Sequence, residues 1–386
     1  MKFHMNKASD LAGFSKENFS GPGKVRLVVR QMLTSDDPMF YHYIDQISNT
    51  FLRPHGVVAN KVCSFLVVLR ADSSADVYVN DIPMVFDIRA KRSIKQGEVV
   101  TDKDIADIGK VSFPEITIQP TDKVFYCFKV GWRFGLFFDC SFRTGLPSGA
   151  PANDSHELNI EQMQQDIAVL LRYLSFYHVY KVLKSGVQYE AMLNDGWFPF
   201  SELLPGDYKQ LSEAYENNFD IIGRTDALVA HFTPDRISRM TAKWWGNSYF
   251  SKEKKLIEAG INAYLQNTDD GIIHCIKTIT SEIEGILRRR YRADKGTVDK
   301  AKAPDLIRHI IERGKKSSGS EFSLLLETPL LDYMVRVVFA HFSEDTGNVS
   351  LSRHSAGHGA APAEQYTRAR ALQFILTLDQ IYYFTS

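Results

Sequence analysis

The stretch from Leu158 to Tyr177, LNIEQMQQDIAVLLRYLSFY, marks the point at which the pattern of the chain changes. Before it, short runs of Val, Ile, Phe and Tyr alternate with turn residues, which is typical of β-strands. Within it, apolar residues recur at intervals of three and four, which predicts an amphipathic helix. The residues that set this period are Met163, Ile167, Leu170, Leu171, Leu174 and Tyr177. The chain therefore divides into a β-rich first part and a helical second part.

Strands are predicted in the first part, from about residue 23 to residue 142. Val79-Asn80-Asp81-Ile82 is predicted to form a hairpin turn, because Asn and Asp tolerate the positive φ that such turns require. Residues 94–105 are predicted to form a strand, a turn and a capped helical turn. The strongest strand patterns lie at 57–69, 77–79, 84–90, 110–118, 123–130 and 132–139.

Helices are predicted in the second part by the same period of three and four. They lie at about 207–222, 225–243, 253–267, 271–292, 304–313, 321–342 and 362–384. Together the two patterns predict an α+β multidomain protein. Its predicted parts are a β-rich N-terminal domain at 1–142, a Pro/Gly/Ser linker at 143–155, a helical connector at 156–244 and an all-α C-terminal bundle at 245–386.

Composition excludes several classes of function. The 386 residues include 46 Lys+Arg and 46 Asp+Glu, so the overall charge does not indicate a polyanionic partner. Charges interrupt every apolar run, and the N-terminal MKFHMNK lacks the apolar core of a signal peptide. We therefore expect a cytoplasmic protein without a membrane partner. The four cysteines have no paired spacing, and no Walker loop, dinucleotide fingerprint or zinc pattern is visible, so neither a cofactor nor a metal is expected.

The segment SRHSAGHG at 352–359 carries the residue types that metal-free RNA cleavage needs. His358 follows Arg353 by five positions, and His354 follows it directly. A neutral imidazole takes a proton from a ribose 2′-hydroxyl, and a guanidinium holds the phosphate as negative charge builds. The alternative is that Arg353 pairs with a carboxylate and that both histidines are solvated loop residues.

Two glycines in this segment, Gly357 and Gly359, predict that the backbone is not a regular helix there. Pro362 is well placed for the first turn of a final long helix. We therefore expect Arg353 and His358 to lie at a helix–loop junction, where side chains from different directions meet.

A second candidate feature is basic. Between residues 288 and 316 the chain has eleven Lys or Arg residues against four acids, a density that suits a phosphate backbone. The candidate RNA-binding residues are Arg288, Arg289, Arg290 and Arg292. The alternative is a solvated connector between helices, since such connectors are often basic without a ligand.

A third candidate is Glu284, on the predicted helix 271–292. It precedes Arg288 by four positions, which indicates an ion pair along one helix face.

The segment Arg353-His354-Ser355-Ala356-Gly357-His358 resembles the Arg-x4–6-His signature of HEPN domains, including the polar residue after the arginine. The helices that precede and follow it agree with that resemblance over roughly 245–386. More loosely, three further segments are similar to full-length bacterial proteins of unassigned function. These are Gly196–Phe200, Ile283–Arg288 and Leu378–Tyr382.

The resemblance implies a metal-independent endoribonuclease whose active site is completed by two protomers. It implies that Arg353 binds the scissile phosphate, that His358 acts as general base or acid, and that His354 orients the site. An acidic residue on the second helix steadies the arginine in some members, which makes Glu284 the candidate here. Other members have lost activity and only dimerise or bind RNA. The glycine before His358 is a departure from the family pattern, because it loosens the backbone at the motif.

The sequence therefore predicts an endoribonuclease of anti-phage defence or of a toxin system, acting on RNA as a homodimer. The N-terminal domain would bind an unidentified trigger. The alternative is a non-catalytic dimerisation or nucleic-acid-binding module. A metal-dependent hydrolase is disfavoured, because no set of carboxylates and histidines has ligand spacing.

Overall fold

The computed structural model describes residues 1–6, 27–142, 157–298, 300–318, 323–341 and 350–385. The chain forms two compact units, one of residues 1–87 and 108–175 and one of residues 88–107 and 176–386. The first is built on an antiparallel sheet and the second is mainly helical, which confirms the predicted α+β class. The predicted linker at 143–155 lies outside the described residues.

The sheet of the first unit has six strands in the order β1-β4-β3-β7-β8-β2, and every pair for which a register is defined is antiparallel. β7 and β8 form a hairpin whose two-residue turn includes Gly131, at φ 61°. Such a turn requires positive φ, which glycine adopts without a steric cost. The strands are β1 Lys2–Met5, β2 Leu27–Thr34, β3 Ser64–Leu69, β4 Ala75–Val79, β7 Lys123–Val130 and β8 Arg133–Phe142.

Two helices belong to the same unit, α1 (Pro38–Ile47) and α2 (Ile160–Ser175). Apolar side chains of α1 share a core with one face of the sheet. α2 packs against β8 at Gly135, where a Cβ atom would lie 2.7 Å from the side chain of Leu174. The apolar stripe that predicted α2 therefore faces the sheet. The sequence pattern instead predicts that this helix begins the connector at 156–244.

A separate two-stranded sheet pairs β5 (Val85–Ala90) with β6 (Ile105–Ser112). The chain between them ends in a 3-10 turn, Asp102–Asp104, capped reciprocally by Thr101, so the capped turn predicted within 94–105 is confirmed. Residues 88–107 group with the helical unit. One contact that holds them there is the hydrogen bond from the Leu324 amide to Asp107 Oδ1, 3.0 Å long.

Some helices of the second unit match their predicted ranges and others do not. The range 225–243 divides between two helices, and the described part of 321–342 contains a short α-helix, Glu327–Tyr333, followed by a π-helix, Met334–Val338. No helix in the part of the chain that the structure describes combines the length and apolar character needed to cross a membrane. The helices are α3 Tyr177–Lys184, α4 Val187–Asn194, α5 Asp207–Asn217, α6 Ile221–His231, α7 Pro234–Ala242, α8 Ser248–Ser251, α9 Lys254–Leu265, α10 Asp269–Lys295, α11 Ala303–Ser318, α12 Glu327–Tyr333, α13 Arg353–His358 and α14 Arg368–Thr385.

One hydrophobic core runs through the whole helical unit. It joins residues of the predicted connector, such as Leu211 and Ile237, to residues of the predicted C-terminal bundle, such as Ile283 and Leu376. Residues 176–244 are therefore not a separate layer, because their apolar faces are buried in the same core as α10 and α14. The predicted boundary at 244/245 has no counterpart in this packing.

α14 lies at the centre of that core. Nearly every residue from Ala371 to Thr385 is buried, including the polar Gln373, Asp379 and Gln380. Gln380 is satisfied internally, since it donates to Leu325 O and accepts from the Ser201 amide, both at 3.0 Å. The last helix is therefore buried on almost all sides.

Candidate active site

The predicted motif forms a short helix, α13, which corrects the expectation of irregular backbone. Ser352 and Ser355 cap its first turn reciprocally, and both are fully buried. Ser352 Oγ also donates to Ala340 O at 2.9 Å, and Ser355 Oγ donates to Ser350 O at 2.7 Å. Gly359 ends the helix at φ 72°. The capping box outweighs the helix-breaking tendency of Gly357, because it satisfies the first amide groups of the helix.

Arg353 is held against α10 by Glu284. Its Nε lies 2.5 Å from Glu284 Oε2, and Arg288 Nε lies 2.7 Å from the other oxygen of the same carboxylate. Glu284 is largely buried, whereas Arg353 keeps 30 % of its side chain exposed. Glu284 therefore makes the predicted i,i+4 ion pair with Arg288 and also contacts Arg353.

The contact through Nε directs the rest of the Arg353 guanidinium along the surface of α13. Its Nη1 lies 3.8 Å from the position that a Cβ on Gly357 would occupy. Gly357 therefore leaves the flank of the helix open beside the guanidinium. Arg353 and His358 are separated by about 140° around the helix axis, whereas His354 and His358, four apart, share a face.

His354 is half-buried and packs against two aromatic rings. Its ring stacks on His341 with centroids 5.3 Å apart, and it meets Phe339 edge-on at 6.3 Å. Burial lowers the pKa of His354, and the neighbouring Arg353, His341 and His358 lower it further, while Glu284 opposes them. The neutral imidazole is thereby favoured, and only this form accepts a proton. His358, the last residue of α13, is exposed.

The predicted RNA-binding arginines lie on the last turns of α10, and three of them form ion pairs. Arg288 pairs with Glu284, Arg289 with Glu253 at 2.9 Å, and Arg290 with Asp294 at 2.8 Å. Arg292 is exposed and forms no ion pair with any residue that the structure describes. Of these four arginines, Arg292 is therefore the one whose charge is not compensated by a described carboxylate.

The structure brings Arg353 into contact with Glu284 and places His354 beside them, with His358 one turn further along the same helix. It adds His341, which stacks on His354. His341 is exposed and lies in a different segment from the motif. No periodicity links it to His354, so no sequence signal was present to find it. Among the described residues, no group of three or more His, Cys, Asp or Glu side chains is arranged to hold a metal ion.

We compared the chain with protein-family models, with curated proteins and with solved structures, and none of the three comparisons found a match.

Proposed function

We propose that the helical unit is a metal-independent endoribonuclease of HEPN type. The observation that carries this proposal is the ion pair of Glu284 with Arg353 at the start of a capped helix that also carries His354 and His358. A guanidinium with a fixed Nε and a partly exposed outer edge suits a phosphate, and the same short helix carries two imidazoles.

In the proposed reaction the imidazole of His358 takes the proton of the ribose 2′-hydroxyl. The 2′-oxygen then forms a bond to phosphorus while the bond from phosphorus to the 5′-oxygen breaks. The products are a 2′,3′-cyclic phosphate and a 5′-hydroxyl, whose proton comes from an imidazolium or from water. Arg353 stabilises the charge that develops on the phosphate oxygens, and His354 orients the substrate by a hydrogen bond.

Glu284 acts in this scheme as a positioning residue. A guanidinium on a flexible side chain loses rotational freedom when it binds a phosphate, and the carboxylate contact removes part of that loss beforehand. The same carboxylate also offsets the repulsion between Arg353 and Arg288, which approach it from two helices. Arg292 is the best remaining candidate for an additional contact with the RNA backbone.

The same proposal includes a homodimer that brings two motif helices together and a role in anti-phage defence or as a toxin. The exposed end of α13, with Gly357 and His358, is the part of the motif that a second copy would reach. α14 is excluded as the dimer face because its own unit buries it. A ligand of the β-sheet unit would act as the trigger.

The decisive experiment compares the wild type with Arg353→Ala and His358→Ala on total tRNA and on a single-stranded RNA, both in EDTA. We expect cleavage by the wild type and a loss of at least a hundredfold in each variant, with 2′,3′-cyclic phosphate ends. Circular dichroism and light scattering should report an unchanged fold and oligomeric state.

Matched controls are Arg336→Ala and His274→Ala. Arg336 is also an ion-paired arginine, bound by Glu190 and Asp332, and His274 is an exposed histidine on α10. Both controls should cleave like the wild type. Activity near the wild-type level in Arg353→Ala or His358→Ala would refute the proposed mechanism.

The second candidate function is a non-catalytic module that dimerises or binds nucleic acid. The ion pairs of Arg353 and Arg288 with one carboxylate favour it, because arginines paired in this way also serve a purely structural role. This alternative predicts that wild type and His358→Ala bind the RNA equally and that neither cleaves it. A gel-shift measurement beside the cleavage assay distinguishes the two functions.

A further inference from the structure

The helical unit also contains a cavity of about 610 Å³, apart from the motif helix. It is enclosed by the chain between β5 and β6, by the residues before α5 and by the segment from the end of α6 into α7. Its size falls within the range of about 300–1,000 Å³ that is typical of small-molecule sites. Five cationic side chains line it, namely Lys91, Arg92, Lys103, Arg236 and Arg239.

Two of these five cations are already neutralised by carboxylates. Arg92 pairs with Glu98 and Asp104, both at 2.7 Å, and Arg236 pairs with Asp207 at 2.7 Å. Among the described residues, three acids line the cavity against the five cations. The lining therefore carries an excess of positive charge.

Two other cations are exposed at the rim. Neither Lys103 nor Arg239 makes an ion pair or a side-chain hydrogen bond with any residue that the structure describes, and both are exposed. Their charges are free to meet a ligand.

The fifth cation, Lys91, is buried, with 8 % of its surface exposed. Its Nζ donates to Ser201 O at 2.5 Å but forms no ion pair with a described carboxylate. The nearby Asp379 pairs with Lys243 instead, at 2.8 Å. Burial lowers the pKa of Lys91, and the proximity of Lys243 and Arg236 lowers it further, against Glu202 and Asp379. A buried ammonium without its own counter-ion is costly, and a bound anion removes that cost.

The backbone also adds positive charge to the cavity lining. The residues at the N-terminal ends of α5 and α7, Gly206 and Thr233, both line the cavity. Helix N-termini carry partial positive charge, and the end of α5 has no side-chain cap. Two unpaired cations at the rim, a buried lysine without a direct ion pair and two helix N-termini match a ligand with several negative charges.

We propose that this cavity binds a small phosphate-bearing anion, with Lys91 on its buried side and Lys103 and Arg239 at its rim. The site does not depend on the ribonuclease proposal, since it shares no residue with the motif cluster. It gives the helical unit a place at which a small molecule can bind.

The test is isothermal titration calorimetry of the full chain with pyrophosphate and with ATP, both without divalent cations. We expect binding of at least one probe, and at least a tenfold rise in Kd in the double variant Lys103→Ala/Arg239→Ala. Both substituted residues are exposed, so the variant should fold normally. Lys91→Met, checked by circular dichroism, should abolish binding where it folds.

The matched control is Lys252→Ala/Lys255→Ala, which removes two exposed charges outside the lining. It should leave Kd within twofold of the wild type, which separates a specific site from general attraction of anions. The proposal is overturned if neither probe binds to the wild type, or if both double variants weaken binding equally.

Discussion

Two charged clusters in the helical unit differ in how they are paired and buried. Around α14, Asp379 is 1 % exposed and accepts from Trp244 Nε1 and from Lys243 Nζ, each at 2.8 Å. Lys243 donates in addition to the Tyr383 hydroxyl at 2.7 Å. At the motif, Arg353 meets Glu284 through a single nitrogen and remains 30 % exposed.

This difference indicates that the cluster around Asp379 stabilises the fold, whereas the cluster at the motif is accessible to a substrate. Burial raises the pKa of Asp379, and the charge of Lys243 and the two hydrogen bonds oppose that shift. Lys243 and Asp379 are both nearly fully buried, so this ion pair is hardly accessible to a ligand. In the motif cluster, part of the Arg353 guanidinium remains exposed. Its ion pair with Glu284 contributes less to stability, because solvent screens the interaction. The two clusters should respond differently to the loss of one carboxylate.

The largest effect is expected from Asp379→Ala. It would leave buried Lys243 with Glu202, at 3.4 Å, as its remaining carboxylate and would remove the partner of Trp244. We expect the free energy of unfolding to fall by about 3–5 kcal/mol, as for other buried pairs that lose one partner. Urea denaturation followed by fluorescence would measure it.

The control for that comparison is Asp332→Ala, which removes an exposed aspartate from its i,i+4 pair with Arg336. We expect a change below about 1 kcal/mol there. An Asp379→Ala variant as stable as this control would show that the buried pair is not a main determinant of stability.

A smaller effect is expected from Ser355→Ala, which acts on the frame of the motif rather than on its charges. Ser355 Oγ accepts from the Ser352 amide at 2.8 Å, so its loss opens the capping box of α13. We expect a loss of about 1–2 kcal/mol in the free energy of unfolding, and a drop in RNA cleavage as the helix frays. Ser281→Ala, on the exposed side of α10, should change neither quantity.

The helices were predictable from sequence because their period is local and strong. The predicted helix at 271–292 became α10, Asp269–Lys295, and the one at 207–222 began at the predicted residue. Partners of strands were harder to predict. Asn80 does adopt positive φ, at 64°, yet β4 pairs with β3 and β1 rather than with β5, so no hairpin forms there. A dihedral preference is local, whereas strand pairing depends on distant residues.

The candidate site divides in the same way. Glu284 was predictable through its spacing from Arg288, but only tertiary packing joins it to Arg353. The two glycines predict irregular backbone at α13, whereas the capping by the two buried serines, which depends on tertiary packing, makes it helical. The cavity around Lys91 was also missed, since its lining comes from three distant segments.

The smallest effect on stability is expected from Glu284→Gln, and it tests the comparison most closely. Glutamine keeps the shape and an acceptor for Arg353 but loses the charge that two arginines share. Because both arginines are partly exposed, we expect the free energy of unfolding to fall by less than about 1 kcal/mol. We expect kcat for RNA cleavage to fall by about tenfold to a hundredfold with KM little changed, since a small displacement of Arg353 weakens its hold on the transition state.

Glu282→Gln is the matched control, with the same change on the same helix at a residue that pairs with Arg289 at 3.5 Å instead. It should keep the wild-type kcat. If Glu284→Gln also kept the wild-type kcat, Glu284 would serve only to neutralise the two arginines. The motif cluster would then have a structural role, like the charged cluster around α14. A fall in kcat without a matching loss of stability would instead show that the motif cluster is organised for a substrate. The loss of a purely structural contact would lower stability rather than kcat alone.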